Sequence, residues 1–248
     1  MQQLIRIKIR RQDSPRSPSY WDEFEIPYKP QMNVISSLMA ICREPVNVRG
    51  EKVTPVVWEC NCLEEVCGAC TMVINGHVRQ ACSALIDQLD QPITLEPMTK
   101  FPVVRDLMVD RSKMFDTLKK VHAWVEIDGS HNMGPGPRQD PNQSLKAYQY
   151  SRCMTCGCCC EACPQFNSHS TFMGAFAFGQ VNLFNSHPTG KFNAHERLDA
   201  VMGMGGLTDC GNAQNCFRAC PKSIPLTDAI AELGMDSTKR AIKKIFIG

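Results

Sequence analysis

Cys62, Cys67, Cys70 and Cys82 are spaced as iron ligands: Cys62-x4-Cys67-x2-Cys70, with Cys82 following after a short segment. This is the plant-type pattern for a 2Fe-2S cluster, in which four thiolates close on two irons. A second group, Cys153-x2-Cys156-x2-Cys159-x3-Cys163-Pro164, has the bacterial intervals in which three thiolates wrap a cubane and the fourth crosses to a neighbouring cluster. Cys210, Cys216 and Cys220-Pro221 form a degenerate copy, with Ala213 where the repeat has its second cysteine. Exchange between the two runs assigns Cys153, Cys156, Cys159 and Cys220 to a 4Fe-4S cluster and leaves Cys163, Cys210 and Cys216 for the other. Because the ligand for a fourth iron is missing, Ala213 predicts a 3Fe-4S cluster; water or another side chain holding that iron is the alternative. Three clusters in one chain suggest a wire for electrons.

Local patterns point to the elements that hold these thiols. Leu4 to Arg10 alternates, with Ile5, Ile7 and Ile9 on one face, as a half-buried strand does, and Phe24 to Tyr28 repeats the alternation. Asn33 can cap a helix carrying Val34, Leu38, Met39 and Ile41 up to Pro45. Thr71 to Ile74 meets Asn75-Gly76, a hairpin turn, and Val78 to Ile86 returns, which predicts that Cys82 sits on a strand while Cys62, Cys67 and Cys70 lie on the preceding loop. Ile93 to Pro97 reads as the last strand, and Leu107, Met108, Met114, Leu118 and Val121 predict a helix over 105–121. The turn-rich stretch 128–141 is the best linker, and helical patterns at 143–151, 174–184, 195–202, 226–233 and 238–247 follow it. The expected organisation is α+β: a 2Fe-2S domain at 1–125, a linker at 126–142 and an all-α domain with two clusters at 143–248.

Composition narrows the class. The 248 residues carry a net charge of +2 with interspersed signs, so no basic footprint for nucleic acid is present and protein partners are expected. No apolar run approaches the roughly 20 residues of a membrane span, and Met1 to Arg6 leads into charged alternation rather than a signal sequence. Fifteen cysteines, an odd number, then argue for metal ligation in a reducing compartment rather than disulfides. Zinc fits the second run poorly, since tetrahedral sites favour repeated C-x2-C pairs. Cys42, Cys60, Cys158 and Cys160 fall outside the intervals and read as small buried hydrophobes. Ala241, Ile242, Ile245 and Phe246 form a stripe opposite Lys239, Lys243 and Lys244, expected to dock on the domain's own core, with a membrane anchor or anionic lipid as the alternative.

The order of these motifs resembles the iron-sulfur subunits of succinate:quinone oxidoreductase (succinate dehydrogenase) and of its sister, quinol:fumarate reductase. The carriers are Cys62-Leu-Glu-Glu-Val-Cys67-Gly-Ala-Cys70, Cys153-Met-Thr-Cys156-Gly-Cys158-Cys159 and Cys210-Gly-Asn-Ala-Gln-Asn-Cys216 through Cys220-Pro221-Lys222, with Leu183 to Pro188 and Arg197-Leu198 in support. The resemblance implies a β-grasp plant-type 2Fe-2S ferredoxin domain followed by an α-helical bacterial-type one. It implies an FAD-containing flavoprotein partner, a cytochrome b anchor with haem b, and attachment to the cytoplasmic face of the membrane through that anchor. Electrons would pass from FAD along the three clusters to quinone, and this chain itself would carry no dicarboxylate site. The tryptophan pair near Asn167 and Ser168 and the histidine at Gly211 of ubiquinone-linked members are missing, which is similar to the menaquinone-linked branch with a di-haem anchor. Only Pro164 is nominated beside the quinone; His169 and His187 read as solvated or hydrogen-bonded. Glu65 replaces a glycine found in many members, which puts the backbone near the first cluster in question. The alternatives are the same wiring reversed in a fumarate reductase, a subunit of a soluble fumarate or disulfide reductase, where cysteine-rich domains beyond Gly248 would be expected, and an iron-sulfur sensor with a DNA-binding element.

Overall fold

The computed structural model describes residues 3–126 and 138–247. Its residues fall into two compact units: Met1–Arg111 with Cys156–Glu161, and Ser112–Thr155 with Ala162–Gly248. The division differs from the expected boundaries, placing residues 112–125 with the helical unit and a short cysteine segment with the sheet unit. Most of the expected linker, 127–137, lies outside the described residues. The helices in chain order are α1 (Val34–Arg43), α2 (Ser112–Lys120), α3 (Pro141–Ser151), α4 (Cys158–Glu161), α5 (Ala175–Ser186), α6 (Ala194–Met202), α7 (Asn215–Arg218) and α8 (Leu226–Ile247).

In the first unit, β1 (Leu4–Arg11), β2 (Tyr20–Pro27), β3 (Thr71–Ile74), β4 (His77–Gln80) and β5 (Ile93–Glu96) form one sheet in the order β2-β1-β5-β3-β4. β1 and β5 run parallel and the other neighbours antiparallel. Ile5, Ile7 and Ile9 are fully buried, as their alternation requires, each contributing roughly 1.5–3 kcal/mol. α1 buries Val34, Ile35, Leu38 and Ile41 in the same core, and Asn33 and Ser36 close its N-terminus in a reciprocal capping box.

Two expectations fail here. β4 ends at Gln80, and Cys82 lies beyond it, in the turn that the Ala84 amide closes on the Ala81 carbonyl (3.4 Å). Residues 105–121 are not one helix: β6 (Val103–Arg105) and β7 (Met108–Val109) pair as a hairpin before α2 begins. Asp106 sits in its turn at φ 48°, fully buried, accepting from Arg11 Nε (2.8 Å) and Nη2 (3.1 Å) and from the amides of Gln12 (3.1 Å) and Val57 (2.9 Å). A buried carboxylate needs these donors, and helical backbone at 106 would not present it to them.

The second unit is helical. α5 buries Phe176, Ala177, Phe178 and Val181, and Asn182 Nδ2 ties it to the Ala229 carbonyl of α8 (3.0 Å). The buried Arg197 of α6 donates to the carbonyls of His122 (2.9 Å), Gly190 (2.7 Å) and Trp124 (2.7 Å), fastening three stretches of chain. The two helices expected at 226–233 and 238–247 are one, α8, since Gly234 inside it weakens the helix by only about 1 kcal/mol. Its apolar stripe does not dock on its own unit: Ile242, Ile245 and Phe246 are exposed, while Lys244 pairs with Asp199 (2.7 Å). Among the described residues no helix is long and apolar enough to cross a membrane.

Candidate metal centres

The loop before β3 is shaped around sulfur. Leu63 (φ 61°), Glu65 (φ 57°) and Gly68 (φ 72°) take left-handed conformations that turn successive amides inward. Cys62 Sγ receives the amides of Val66 (3.3 Å), Cys67 (3.3 Å) and Glu64 (3.5 Å), Cys67 Sγ that of Ala69 (3.5 Å), and Cys82 Sγ that of Glu65 (3.3 Å). These donors hold the Cys62 thiol down at about 7, so it readily supplies a thiolate. Cys70 is buried, and desolvation pushes its thiol up to about 12. Glu65 thus keeps the turn that glycine would favour, and its Oε1 accepts from Ser83 Oγ (2.7 Å). Two half-buried sulfurs and two buried ones, all on one short loop and the adjoining turn, suit a cluster that needs amide donors facing its ligands.

Neighbouring side chains without a sequence signal hold this region. Arg111 Nη1 donates to the Gly68 carbonyl (2.9 Å) and Nη2 to Glu59 (3.4 Å). Gln80, fully buried, accepts from Cys70 Sγ (3.6 Å) and donates to Thr71 Oγ1 (2.7 Å) and Cys158 Sγ (3.6 Å). The neighbouring Cys158 thiol is the leading reason that the Cys156 thiol falls to about 7. Of the cysteines outside the intervals, Cys158 and Cys160 are fully buried and Cys42 donates to the Val56 carbonyl (3.4 Å), but Cys60 is exposed, contrary to expectation. Cys60 follows Val56–Glu59 into an open hollow lined by Trp58, Asn61 and Ala69 rather than into the core.

In the helical unit, Cys163, Cys210 and Cys216 line one small cavity of about 20 Å³, partly open to solvent. Pro164, Gln165, Phe172, Ala175, Thr227 and Ile230 complete its wall with the loop 211–215. Ala213 lies in that loop, between the left-handed Asn212 (φ 50°) and Gln214 (φ 59°), so no thiol projects from the position where the repeat would have one. Asn215 Nδ2 fastens the loop to the Ala162 carbonyl (3.0 Å), next to Cys163. Cys220 Sγ receives the Ile224 amide (3.5 Å). Three thiols on one cavity wall fit a cluster with three protein ligands. The remaining set, Cys153, Cys156, Cys159 and Cys220, takes members from both units, and its grouping rests on the intervals. His187 Nδ1 accepts from the amides of Thr189 (3.3 Å) and Gly190 (3.2 Å), a turn-holding role, whereas His169 is exposed.

The chain is similar to known proteins over nearly its whole length. Residues 6–116 match the family model described as a 2Fe-2S iron-sulfur cluster binding domain. The chain is 61% identical to the succinate dehydrogenase iron-sulfur subunit of Bacillus subtilis over 99% of its length and 97% of that protein. It is 27% identical to the fumarate reductase iron-sulfur subunit of Haemophilus influenzae, covering 87% of this chain and 86% of that one. A chain of the Mycobacterium smegmatis Sdh1 complex in the apo form has the same fold, with a TM-score of 0.81 at 19% identity, covering 97% of this chain and 98% of the other.

Proposed function

This chain belongs to the family of iron-sulfur subunits of succinate dehydrogenase and fumarate reductase, and from that membership we propose that it conducts electrons from the FAD of a flavoprotein subunit to membrane quinone. The carrying observation is the cavity bearing Cys163, Cys210 and Cys216 with Ala213 in its wall. An ordinary pair of cubanes would need a fourth thiol there. The clusters, when bound, supply one-electron redox chemistry within the range that ligands, hydrogen bonds and burial set.

Each residue then has a part. Cys62, Cys67, Cys70 and Cys82 hold the 2Fe-2S cluster, Cys153, Cys156, Cys159 and Cys220 the 4Fe-4S cluster, and Cys163, Cys210 and Cys216 the 3Fe-4S cluster. The amides of residues 64–67 and 69 stabilise added negative charge on the first ligand set. Leu63 and Val66, both exposed beside Cys62 and Cys67, offer an apolar rim to the flavoprotein. The exposed Pro164 lies on the rim of the cavity bearing Cys163, Cys210 and Cys216, where it would face quinone. The exposed Ile242, Ile245 and Phe246 suit contact with a cytochrome b anchor, read here as di-haem and menaquinone-linked, on the cytoplasmic face of the membrane. Succinate oxidation is favoured over fumarate reduction because identity is 61% to the succinate dehydrogenase relative and 27% to the fumarate reductase one.

EPR of the purified complex tests this reading. A 3Fe-4S signal in the oxidised state and a 2Fe-2S signal after reduction by succinate are expected; the lack of either would refute it.

A further inference from the structure

Hydrogen bonds within the sheet unit run from Cys70 through Gln80 to Cys158. Cys70 Sγ donates to Gln80 Oε1 (3.6 Å), and Gln80 Nε2 donates to Cys158 Sγ (3.6 Å). Gln80 is fully buried at the end of β4, and its Nε2 also donates to Thr71 Oγ1 (2.7 Å), which fixes the plane of the amide. Side-chain amides are almost symmetric in shape, so their orientation follows from what surrounds them. A thiol at Cys70 can donate, and the carbonyl end of the amide meets it. A thiolate bound to iron has no proton to give, and a carbonyl oxygen beside it is repelled. Turning the amide about Cγ–Cδ presents Nε2 to the thiolate. The same turn leaves Oε1 facing the Cys158 thiol, able to donate, and the Thr71 hydroxyl, which then gives up its bond to the Gly68 carbonyl (2.9 Å) while Arg111 Nη1 (2.9 Å) keeps that carbonyl paired. The amide stays neutral, and no proton or co-reactant enters or leaves.

We propose that Gln80 is the positioning residue that links the first cluster's ligand Cys70 to Cys158 in the ligand segment of the second, its Nε2 donating to the Cys70 thiolate once the cluster is bound. The inference rests on Cys70 being a ligand of the 2Fe-2S cluster. A donor to a ligand sulfur stabilises the reduced, more negative cluster more than the oxidised one, so its loss lowers the potential.

The test uses the assembled complex. In protein labelled with 15N only in glutamine side chains, pulsed EPR of the reduced 2Fe-2S centre should show a 15N hyperfine coupling that Q80L lacks. Absence of the coupling in the unmutated complex overturns the proposal, and this arm needs no variant to fold. In a redox titration Q80L should disfavour reduction of this centre about tenfold, or 59 mV for one electron. A change below about twofold overturns the proposal. C158A should shift the same potential in the unmutated background and not in Q80L, since removing one end of a bridge silences the other. Equal shifts in both backgrounds refute the bridge. C70A separates the two levels: a surviving 2Fe-2S signal would refute the ligand reading itself, whereas its loss with an unchanged Q80L potential refutes only the role of Gln80.

Discussion

Replacing Asp106 by Asn should destabilise the sheet unit by about 3 kcal/mol. The carboxylate is fully buried and accepts four hydrogen bonds, two from the equally buried Arg11 and two from backbone amides. Removing one member of a buried ion pair costs roughly 3–5 kcal/mol, chiefly because the surviving charge is left uncompensated. Asn keeps one oxygen for a neutral hydrogen bond, and Arg11 keeps Asp22 at 3.6 Å, so the lower end of the range applies. Arg11 Nη1 already lacks a hydrogen bond, which leaves the guanidinium little reserve. Loss of a metal cluster makes unfolding irreversible, so the assay is the rate at which visible 2Fe-2S absorption bleaches in guanidinium chloride. If the pair forms after the folding transition state, the whole effect enters the unfolding rate, a factor on the order of 10². The paired replacement R11M/D106N removes both charges, keeps an oxygen for the amides of Gln12 and Val57 at this left-handed position, leaves Asp22 with Asn47 Nδ2 (3.1 Å), and should recover part of the loss. Acceleration of D106N below about threefold, or a double variant as fast as the single one, would refute the ion-pair account.

Ala213→Cys places a thiol on the wall of the third cavity, and the EPR signal of an oxidised 3Fe-4S centre should give way to that of a 4Fe-4S centre of lower potential, with slower quinone reduction; an unchanged spectrum contradicts the ligand map. Asp199 is held down at about 2 by hydrogen bonds from Arg240 and then Lys244, and after allowance for solvent screening the cluster is worth ~0.5–1 kcal/mol. Because the folded value is depressed, this stability is present above the ordinary value near 3.8 and is lost as pH falls towards 2. Thermal melts should therefore show D199N below the unmutated protein at pH 6 and the gap closing in that acid window. Gly206→Ala would drive a Cβ into the Val201 carbonyl oxygen, so the backbone leading to Cys210 must shift; we expect loss of the 3Fe-4S signal before that of the 2Fe-2S, and equal losses would refute the assignment of that effect to the loop.

What could be read from the sequence follows the range of each cause. The alternation of Ile5, Ile7 and Ile9, the Asn33 cap and the Asn75-Gly76 turn are set by neighbours in the chain, and each forms as expected. The helix expected over 105–121 fails because its apolar spacing is outweighed by Asp106, whose principal partner Arg11 stands 95 residues away. Cys82 leaves the strand in the turn that the Ala84 amide closes on the Ala81 carbonyl, where the run 78–86 predicts a longer strand. The candidate ligands show the same division. Intervals identify thiols because a cluster constrains its ligands to a short span of chain, so local spacing is itself the chemical requirement. Nothing comparable marks Gln80, a single polar residue at the end of a four-residue strand, or Arg111 on the Gly68 carbonyl. Yet the potentials of such centres depend on donors to sulfur and on burial as well as on the thiolates. Two chains with identical cysteine intervals can therefore differ in the potentials of their clusters, because amide donors such as those on Cys62 are not marked by the spacing of the thiols.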